Sequence, residues 1–406
     1  MYDVIVIGSG TIGSATAYYL SKQKNAKIAL FDKGEIGGGA ASWAASLLTQ
    51  VRSKTESIPL VKETYQAIID LEAQLGESLG VRKVGSLQIV GSDKTAATIE
   101  SLVEIADQYG INNQWVDAAE VKKMLPWINQ DRVQKASFMP DDVFLDAYVL
   151  ANAYVRAARQ NGVAVFSNTE ITEIVVENGA ISGVKTRDNF YPAANVVDAA
   201  GAWSNLLSAA HHIALPMAPV RSIYWITKAD PVLFPSEQPM TVIPDAMAYS
   251  RPETGGLLFG IRDKESPYVN PKSLPETYNG KQFIEAEKHW EILQEEGGPF
   301  REFFPGLDDV GIVHCITGVS TYTPDSRFVL GADLSLPGFY AATGCVGAGV
   351  AMSAGFGRAV SELVHGQKPF TDISAFAPRR MGDFDPFDEA FMASCSAARA
   401  HKKDGG

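Results

Sequence analysis

Apolar and polar positions fall into blocks of recognisable period along this chain. Val4 to Ile7 form a continuous apolar run, as expected of a parallel strand covered on both faces. "TIGSATAYYLSKQ" follows, with Ile12, Ala15, Tyr19 and Leu20 on one side of a helix. "KIALFD" is a second apolar strand, ending in Asp32. Further on, "NVVDAAGAWS" (Asn195 to Ser204) runs from an apolar strand into a turn of small residues. "GFYAATGCVGAGVAMSAGFGRAVSELV" reads as strand, glycine loop and a helix carrying Val350, Ala354, Ala359, Leu363 and Val364. This alternation predicts an α/β protein with a doubly wound parallel sheet.

A different pattern occupies the stretches between. "GSLQIVGS" begins a second sheet and "PWINQDRVQKASFMPDD" returns from it, while "PMAPVRSIYWIT", "AMAYSRP" and "GLLFGIRD" read as its further strands. "KQFIEAEKHWEILQEE" is an amphipathic helix. A smaller α+β domain with a mixed or antiparallel sheet is expected. With 406 residues the chain is too long for one ordinary core. The tail after Phe376 has few periodic apolar positions, so it is expected to fray or to clasp a neighbouring molecule.

Composition narrows the partners. Lys and Arg total 35 against 47 Asp and Glu, a net charge of -12, which argues against nucleic acid or an anionic membrane as the main partner. Cys315, Cys345 and Cys395 are odd in number and lack metal-ligand spacing, so neither a disulfide framework nor a metal site is expected. The adjacent His211 and His212 read as surface or interdomain residues. No basic or cleavable apolar segment precedes Tyr2, and the most apolar late stretch is broken by six glycines, a poor membrane span. A cytoplasmic, reducing location fits.

The chemistry starts at Gly8, Gly10 and Gly13, a G-x-G-x-x-G between strand and helix. Gly8 suits the tight turn, Gly10 the close approach of backbone to a pyrophosphate, and Gly13 the packing of helix on strand. Asp32 stands where a carboxylate accepts hydrogen bonds from ribose hydroxyls, which disfavours NADP but leaves NAD and FAD open. After Asp32 the loop from Gly37 to Ala41, then Ser42, Ala44, Ala45 and Ser46 on an expected short helix, lets backbone amides approach the second part of a long cofactor. Gly344, Gly347 and Gly349 place N–H groups at a helix start, where negative charge is stabilised.

With these motifs in hand, the chain resembles the D-amino-acid oxidase superfamily of FAD enzymes, which includes glycine oxidase, sarcosine oxidase and related amino-acid dehydrogenases. The resemblance runs from Tyr2 to about Leu363. "GGGAASWAASLL" is similar to the family's second cofactor loop, "VVDAAGAWS" to its A-T-G-like strand end, "GCVGAGVAMS" to its flavin loop, and "TYTPDSRFVLG" to the T-P-D segment of the sarcosine oxidase branch. The resemblance implies FAD contacts at Gly8, Gly10, Thr11, Ile12, Gly13, Asp32, Lys33, Ala41, Ser42, Ala45, Ser46 and Leu47. It implies more at Ile171, against the adenine, at Ala200, Gly201 and Trp203, and at Gly347, Ala348, Gly349, Val350 and Ala351. The FAD domain is then expected to be discontinuous, from 1–83, 146–216 and 322–370. Residues 84–145 and 217–321 would form the substrate domain, and 371–406 a C-terminal tail.

The resemblance further implies an amine or amino-acid substrate that passes hydride to flavin N5, with hydrolysis of the imine afterwards. A substrate carboxylate calls for a bidentate guanidinium. Glycine oxidase and D-amino-acid oxidase carry theirs just before the T-P-D-like segment, where this chain has Ser320. The sarcosine oxidase branch has one soon after the second cofactor loop, where Arg52 stands. Arg52 is the first candidate for the carboxylate. Tyr249 and Arg251, on a strand that faces the flavin in relatives, are the others, and Tyr224 and Trp225 are candidate pocket walls.

Two departures matter. Gly318 occupies the position of the sarcosine oxidases' flavin-bearing cysteine, and Cys315 lies three residues too early, so non-covalent FAD is expected. Gly260 stands where those enzymes have an oxygen-activating lysine, and Lys264 is out of register. The final acceptor is therefore oxygen or another oxidant. The sequence leaves oligomerisation open, together with two alternatives: a nicotinamide-dependent dehydrogenase, and a non-catalytic flavin-holding subunit of a multi-subunit amine dehydrogenase.

Overall fold

The computed structural model describes residues 1–400 apart from Lys24, Glu265 and 276–285. Two eight-stranded sheets dominate. In the first, the Tyr2–Ile7 strand lies between Ile28–Phe31 and Phe190–Asp198, all parallel. Ala164–Phe166 extends one side and Phe339–Thr343 the other, with Val329–Ala332 antiparallel at that edge.

The apolar run of the first strand is explained by its two covered faces. Val4 and Val6 pack with Tyr18, Leu20, Tyr154 and Phe356 from helices Thr11–Ser21, Ala147–Gln160 and Ser353–Val364. Ile5 and Ile7 pack on the other face with Ile174, Ile181 and Val184 of the antiparallel Glu173–Glu177 and Ala180–Lys185 strands. One face of the winding is thus covered by helices and the other by a β-meander.

The second sheet runs Ile312–Tyr322, Ala218–Thr227, Gly256–Ile261, Ala248–Glu253, Met240–Ile243, Ser86–Val90, Lys135–Met139, Gln114–Val116. Only the pairing of Met240–Ile243 with Ser86–Val90 is parallel, so the sheet is mixed. Its strands alternate in the β period. Leu87, Ile89, Ile223, Trp225 and Phe259 join Phe300 and Phe304 in a separate core. Gln88, Ser222 and Tyr224, one residue out of phase, face the other way. Trp225 is therefore core, stacked on Phe259, and does not line the cavity between the sheets. The expected helix over "KQFIEAEKHWEILQEE" is present as Ala286–Glu296, while 281–285 lie outside the described residues. Since different segments feed the two sheets, we propose domain boundaries near residues 83, 146, 216 and 322.

The tail corrects an expectation. Up to Ala400 it does not fray but packs on its own chain. Phe376, Met392 and Cys395 are buried in the main core, and the Glu389–Ala400 helix lies against the second sheet's edge strand Ile312–Tyr322 and its neighbour Ala218–Thr227. Three ion pairs hold it: Arg379 with Asp333, Arg380 with Asp325, and Arg399 with Asp263. The apolar positions of this helix, at Met392 and Cys395, are few but share one face. No helix among the described residues is long and apolar enough to cross a membrane.

Candidate active site

Between the sheets lies a cavity of about 650 Å³. One end is built from backbone. Gly8 turns the chain at φ +98°, and a Cβ there would lie 2.4 Å from the Ala199 carbonyl oxygen. A Cβ on Gly13 would lie 1.8 Å from the Gly8 carbonyl oxygen, whereas one on Gly10 would meet nothing within 4 Å. Gly13 is thus required by packing, and Gly10 leaves room beside the helix start. No side chain caps that helix, whose first N–H groups open on the cavity. Asp32 is held by its neighbours: Oδ2 accepts from Ser9 N (2.6 Å) and Ser9 Oγ (2.8 Å), and Oδ1 from Gly34 N (2.8 Å). Lys33 Nζ sits 3.7 Å from the centre of the Trp203 ring.

The loop after Asp32 differs from the expected short helix. Only Ala40–Trp43 makes a 3₁₀ turn; Ala44 is extended and Ser46 is left-handed at φ +60°. Two restraints draw the chain out. Arg251 Nε donates to the Ala45 carbonyl (2.6 Å), and Leu47–Leu48 pairs with Val143–Phe144. The late glycine loop crosses beside it. Val346 N donates to Thr321 O (2.8 Å), Gly347 is left-handed at φ +70°, and Thr11 Oγ1 donates to Gly349 O (3.3 Å).

All the residues expected to touch cofactor line this one cavity: Gly8, Gly10, Thr11, Ile12, Gly13, Asp32, Lys33, Ala41, Ser42, Ala45, Ser46, Leu47, Ile171, Ala200, Gly201, Trp203, Gly347, Ala348, Gly349, Val350 and Ala351. Arg52, Tyr224 and Tyr249 line it too. Arg251 does not. Its guanidinium is spent on the Ala45 and Pro252 carbonyls and on Glu253 (2.6 Å), over the Phe144 ring, so it braces the loop. It shares the strand face of Tyr249, but these partners hold it out of the cavity wall.

The residues present suit a long dinucleotide. Besides the glycine cradle, Trp43 Nε1 and Arg52 Nε, both on residues of the cavity wall, are buried without a hydrogen-bond partner. Arg52 is 8% exposed and donates only from Nη1, to Thr49 Oγ1 (2.6 Å). Burial pulls its guanidinium below the ordinary value, while Asp142 and Tyr65 favour the charged form. Asp142 itself is pushed up to about 6 by burial, against hydrogen bonds from Ser86 and Gln50. Burial raises the Tyr249 hydroxyl to about 12, with Arg399 and Arg262 pulling the other way. Tyr224 is likewise raised by burial.

A profile of FAD-dependent oxidoreductases matches residues 3–363. The chain belongs to the FAD-dependent oxidoreductase family. It is 26% identical over 388 residues to glycine oxidase of Geobacillus kaustophilus, covering 93% of this chain and 97% of that one. It is 24% identical to the mitochondrial pyruvate dehydrogenase phosphatase regulatory subunit of Mus musculus, over 90% of this chain and 41% of that protein. The chain spans less than half the length of several curated relatives it matches. Among solved structures, L-proline dehydrogenase from P. horikoshii superposes with a TM-score of 0.81 at 24% identity, over 93% of this chain and 97% of that one. The family sets aside the nicotinamide alternative.

Sequence reasoning missed several wall residues of this FAD-family cavity. Gln88, Ser222 and Val242 follow from strand phase once the sheet is known. Arg262 comes just after the Gly256–Ile261 strand, and Arg399 from the tail, where no local signal marked it. Cys345 also lines the cavity, its Sγ 3.4 Å from Ser320 Oγ. Cys315, by contrast, does not line it, and Gly318 lies against Trp43.

Proposed function

We propose that this chain oxidises the C–N bond of a small amino acid or N-alkyl amino acid, with non-covalent FAD along the glycine-built end of the cavity. When bound, FAD accepts at N5 the hydride from the carbon beside nitrogen. As the hydride leaves, the nitrogen lone pair forms the C=N bond, and water cleaves the imine. A primary amino acid yields a keto acid and ammonia; an N-methyl substrate yields an aldehyde and a shorter amine.

The protein's share is placement and electrostatics. Arg52 is the observation that carries this reading: a buried guanidinium in the cavity wall, with one N–H unpartnered. It would take the substrate carboxylate in its planar fork. Tyr224 and Tyr249 line the same cavity from the second sheet, and their hydroxyls stay protonated at neutral pH. A substrate amine that arrives neutral needs no base. Substrates of this kind are in keeping with the glycine oxidase and L-proline dehydrogenase that the chain resembles. Non-covalent binding is supported by Gly318 at the usual attachment position and by the absence of Cys315 from the wall. We read the protein as cytoplasmic, in keeping with its three free thiols.

The test is an anaerobic screen of amino acids and N-methyl amines for loss of the yellow flavin colour. Bleaching by a small amino acid or N-alkyl amino acid supports the reading. The second reading, a flavin-holding subunit without catalysis, is favoured by the likeness to a phosphatase regulatory subunit. Failure of every amine to bleach the flavin would select it.

A further inference from the structure

The Glu389–Ala400 helix brings Arg399 into the wall of the cavity, among residues of the second sheet. Its Nη1 donates to Asp263 Oδ1 (2.7 Å) and to Ser266 Oγ. Asp263 has a second cation: Arg221 Nη2 donates to Oδ2. Arg221, Asp263 and Arg399 are 3%, 3% and 5% exposed. Among the described residues, two guanidinium groups therefore share one carboxylate out of water, and that cluster carries one positive charge more than Asp263 offsets. Arg221 makes this plainer, since its Nε and Nη1 are buried without partners. Arg221 lies behind the wall, so the surplus reaches the cavity through Arg399.

Buried charge without a counter-charge is costly, and such a site favours any anion that fits. Asp263 does not line the cavity, nor does any other carboxylate from the described strands of the second sheet. The lining carboxylates, Asp32, Glu35 and Glu170, come from loops of the first sheet. Arg52 and Arg399 enter the wall from different parts of the chain, Arg52 after the Leu47–Leu48 strand and Arg399 from the tail helix. Arg52 feels Asp142 and Tyr65, whereas Arg399 acts on Tyr249. One carboxylate would satisfy Arg52 and leave the Arg399 surplus as it was.

We propose that Arg399 receives a second anionic group of the substrate, so that the preferred substrate is an amino acid or N-alkyl amino acid with two carboxylates. This rests on the amine-oxidation reading above and adds the substrate class. The residues that bind the first carboxylate and the cofactor are unchanged by it. Arg399 is then a specificity residue that takes no part in bond making.

The experiment compares matched pairs on the flavin-loaded protein: aspartate with alanine and N-methylaspartate with N-methylalanine, both enantiomers of each, and N-carboxymethylglycine with sarcosine. Anaerobic flavin reduction should favour the diacid of at least one pair by tenfold or more in kcat/KM. Arg399→Met, which keeps the length of the side chain, should cut that ratio at least tenfold, mainly through KM. Arg399→Lys should restore part of it. Calorimetric titration with succinate and propionate gives a readout free of turnover: succinate should bind tenfold tighter, and Arg399→Met should erase the difference. Equal rates within every pair, or a ratio unmoved by Arg399→Met, would overturn the assignment while leaving amine oxidation standing. No bleaching by any amine would overturn both.

Discussion

The ring of Tyr249 lies across the backbone of Gly260. The two face each other on antiparallel neighbours, and a Cβ on Gly260 would stand 2.3 to 2.4 Å from Tyr249 Cζ, Cε1 and Oη. The glycine is thus the floor on which a cavity-wall tyrosine rests. The same contact leaves no space for a longer side chain at this position. Lys264 offers no substitute, since its side chain is 83% exposed and pairs with Glu296.

Gly260→Ala should therefore displace Tyr249. Overpacking of this kind costs about 1–3 kcal/mol, and the cost should appear as a lower urea midpoint. The rate of flavin reduction should fall with it, because Tyr249 walls the cavity. An alanine variant with unchanged stability and rate would show that the ring moves aside freely.

A cavity whose second-sheet wall lacks a lysine also bears on the electron acceptor. Among the described lining residues Lys33 is the only lysine, and it sits over Trp203 in the cofactor end. Reduced protein mixed in stopped flow should return its electrons faster to a soluble dye or quinone than to oxygen at equal concentration. Faster return to oxygen would assign the chain as an oxidase.

Gly13→Val should abolish flavin binding. Its Cβ would fall 1.8 Å from the Gly8 carbonyl oxygen, so helix and strand must separate and the pyrophosphate cradle opens. The check is the ratio of 450 nm to 280 nm absorbance in the purified variant. A folded variant with full flavin content would refute the packing argument.

Asp198 supplies a prediction in pH. It is fully buried at the end of the Phe190–Asp198 strand. Oδ1 accepts from Ala200 N (3.0 Å) and Ser204 Oγ (2.7 Å), and Oδ2 has no partner. Burial pushes its carboxyl up to about 6. The folded protein then holds a proton that the unfolded chain has released, and stability falls as pH rises from about 4 to about 6. The loss is at most about 3 kcal/mol for a shift of this size. Asp198→Asn cannot ionise, so urea midpoints at pH 4 and pH 8 should lie closer together than in the parent. An equal pH dependence in both would show that Asp198 ionises normally.

These residues also show what could be read from the chain alone. The cofactor end was legible because it is made of backbone: glycines at Gly8, Gly10 and Gly13 are demanded by turns and close contacts that local spacing records. Strand phase separated Trp225 from Tyr224 only once the register was known, since either face of an isolated strand could be core. Arg251 was misleading for a long-range reason, its partner being Ala45, two hundred residues earlier. Arg399 was invisible. It reaches the cavity through a tail whose Arg379, Arg380 and Arg399 pair with Asp333, Asp325 and Asp263, only the last pair lying in the tail helix, and none of these pairs leaves a pattern in the tail itself.

The central claim is that a buried arginine in this cavity orients an amino-acid carboxylate for oxidation at the neighbouring C–N bond. Its most direct test is the anaerobic rate of flavin reduction in the parent and in Arg52→Ala, for one amino acid and its decarboxylated amine. Losing one partner of a buried charged pair should weaken transition-state binding of the amino acid by about 2–5 kcal/mol. The decarboxylated amine should lose far less, flavin content should stay the same, and Arg52→Lys should recover only part, lacking the planar fork. Equal losses for the acid and the amine would contradict the account.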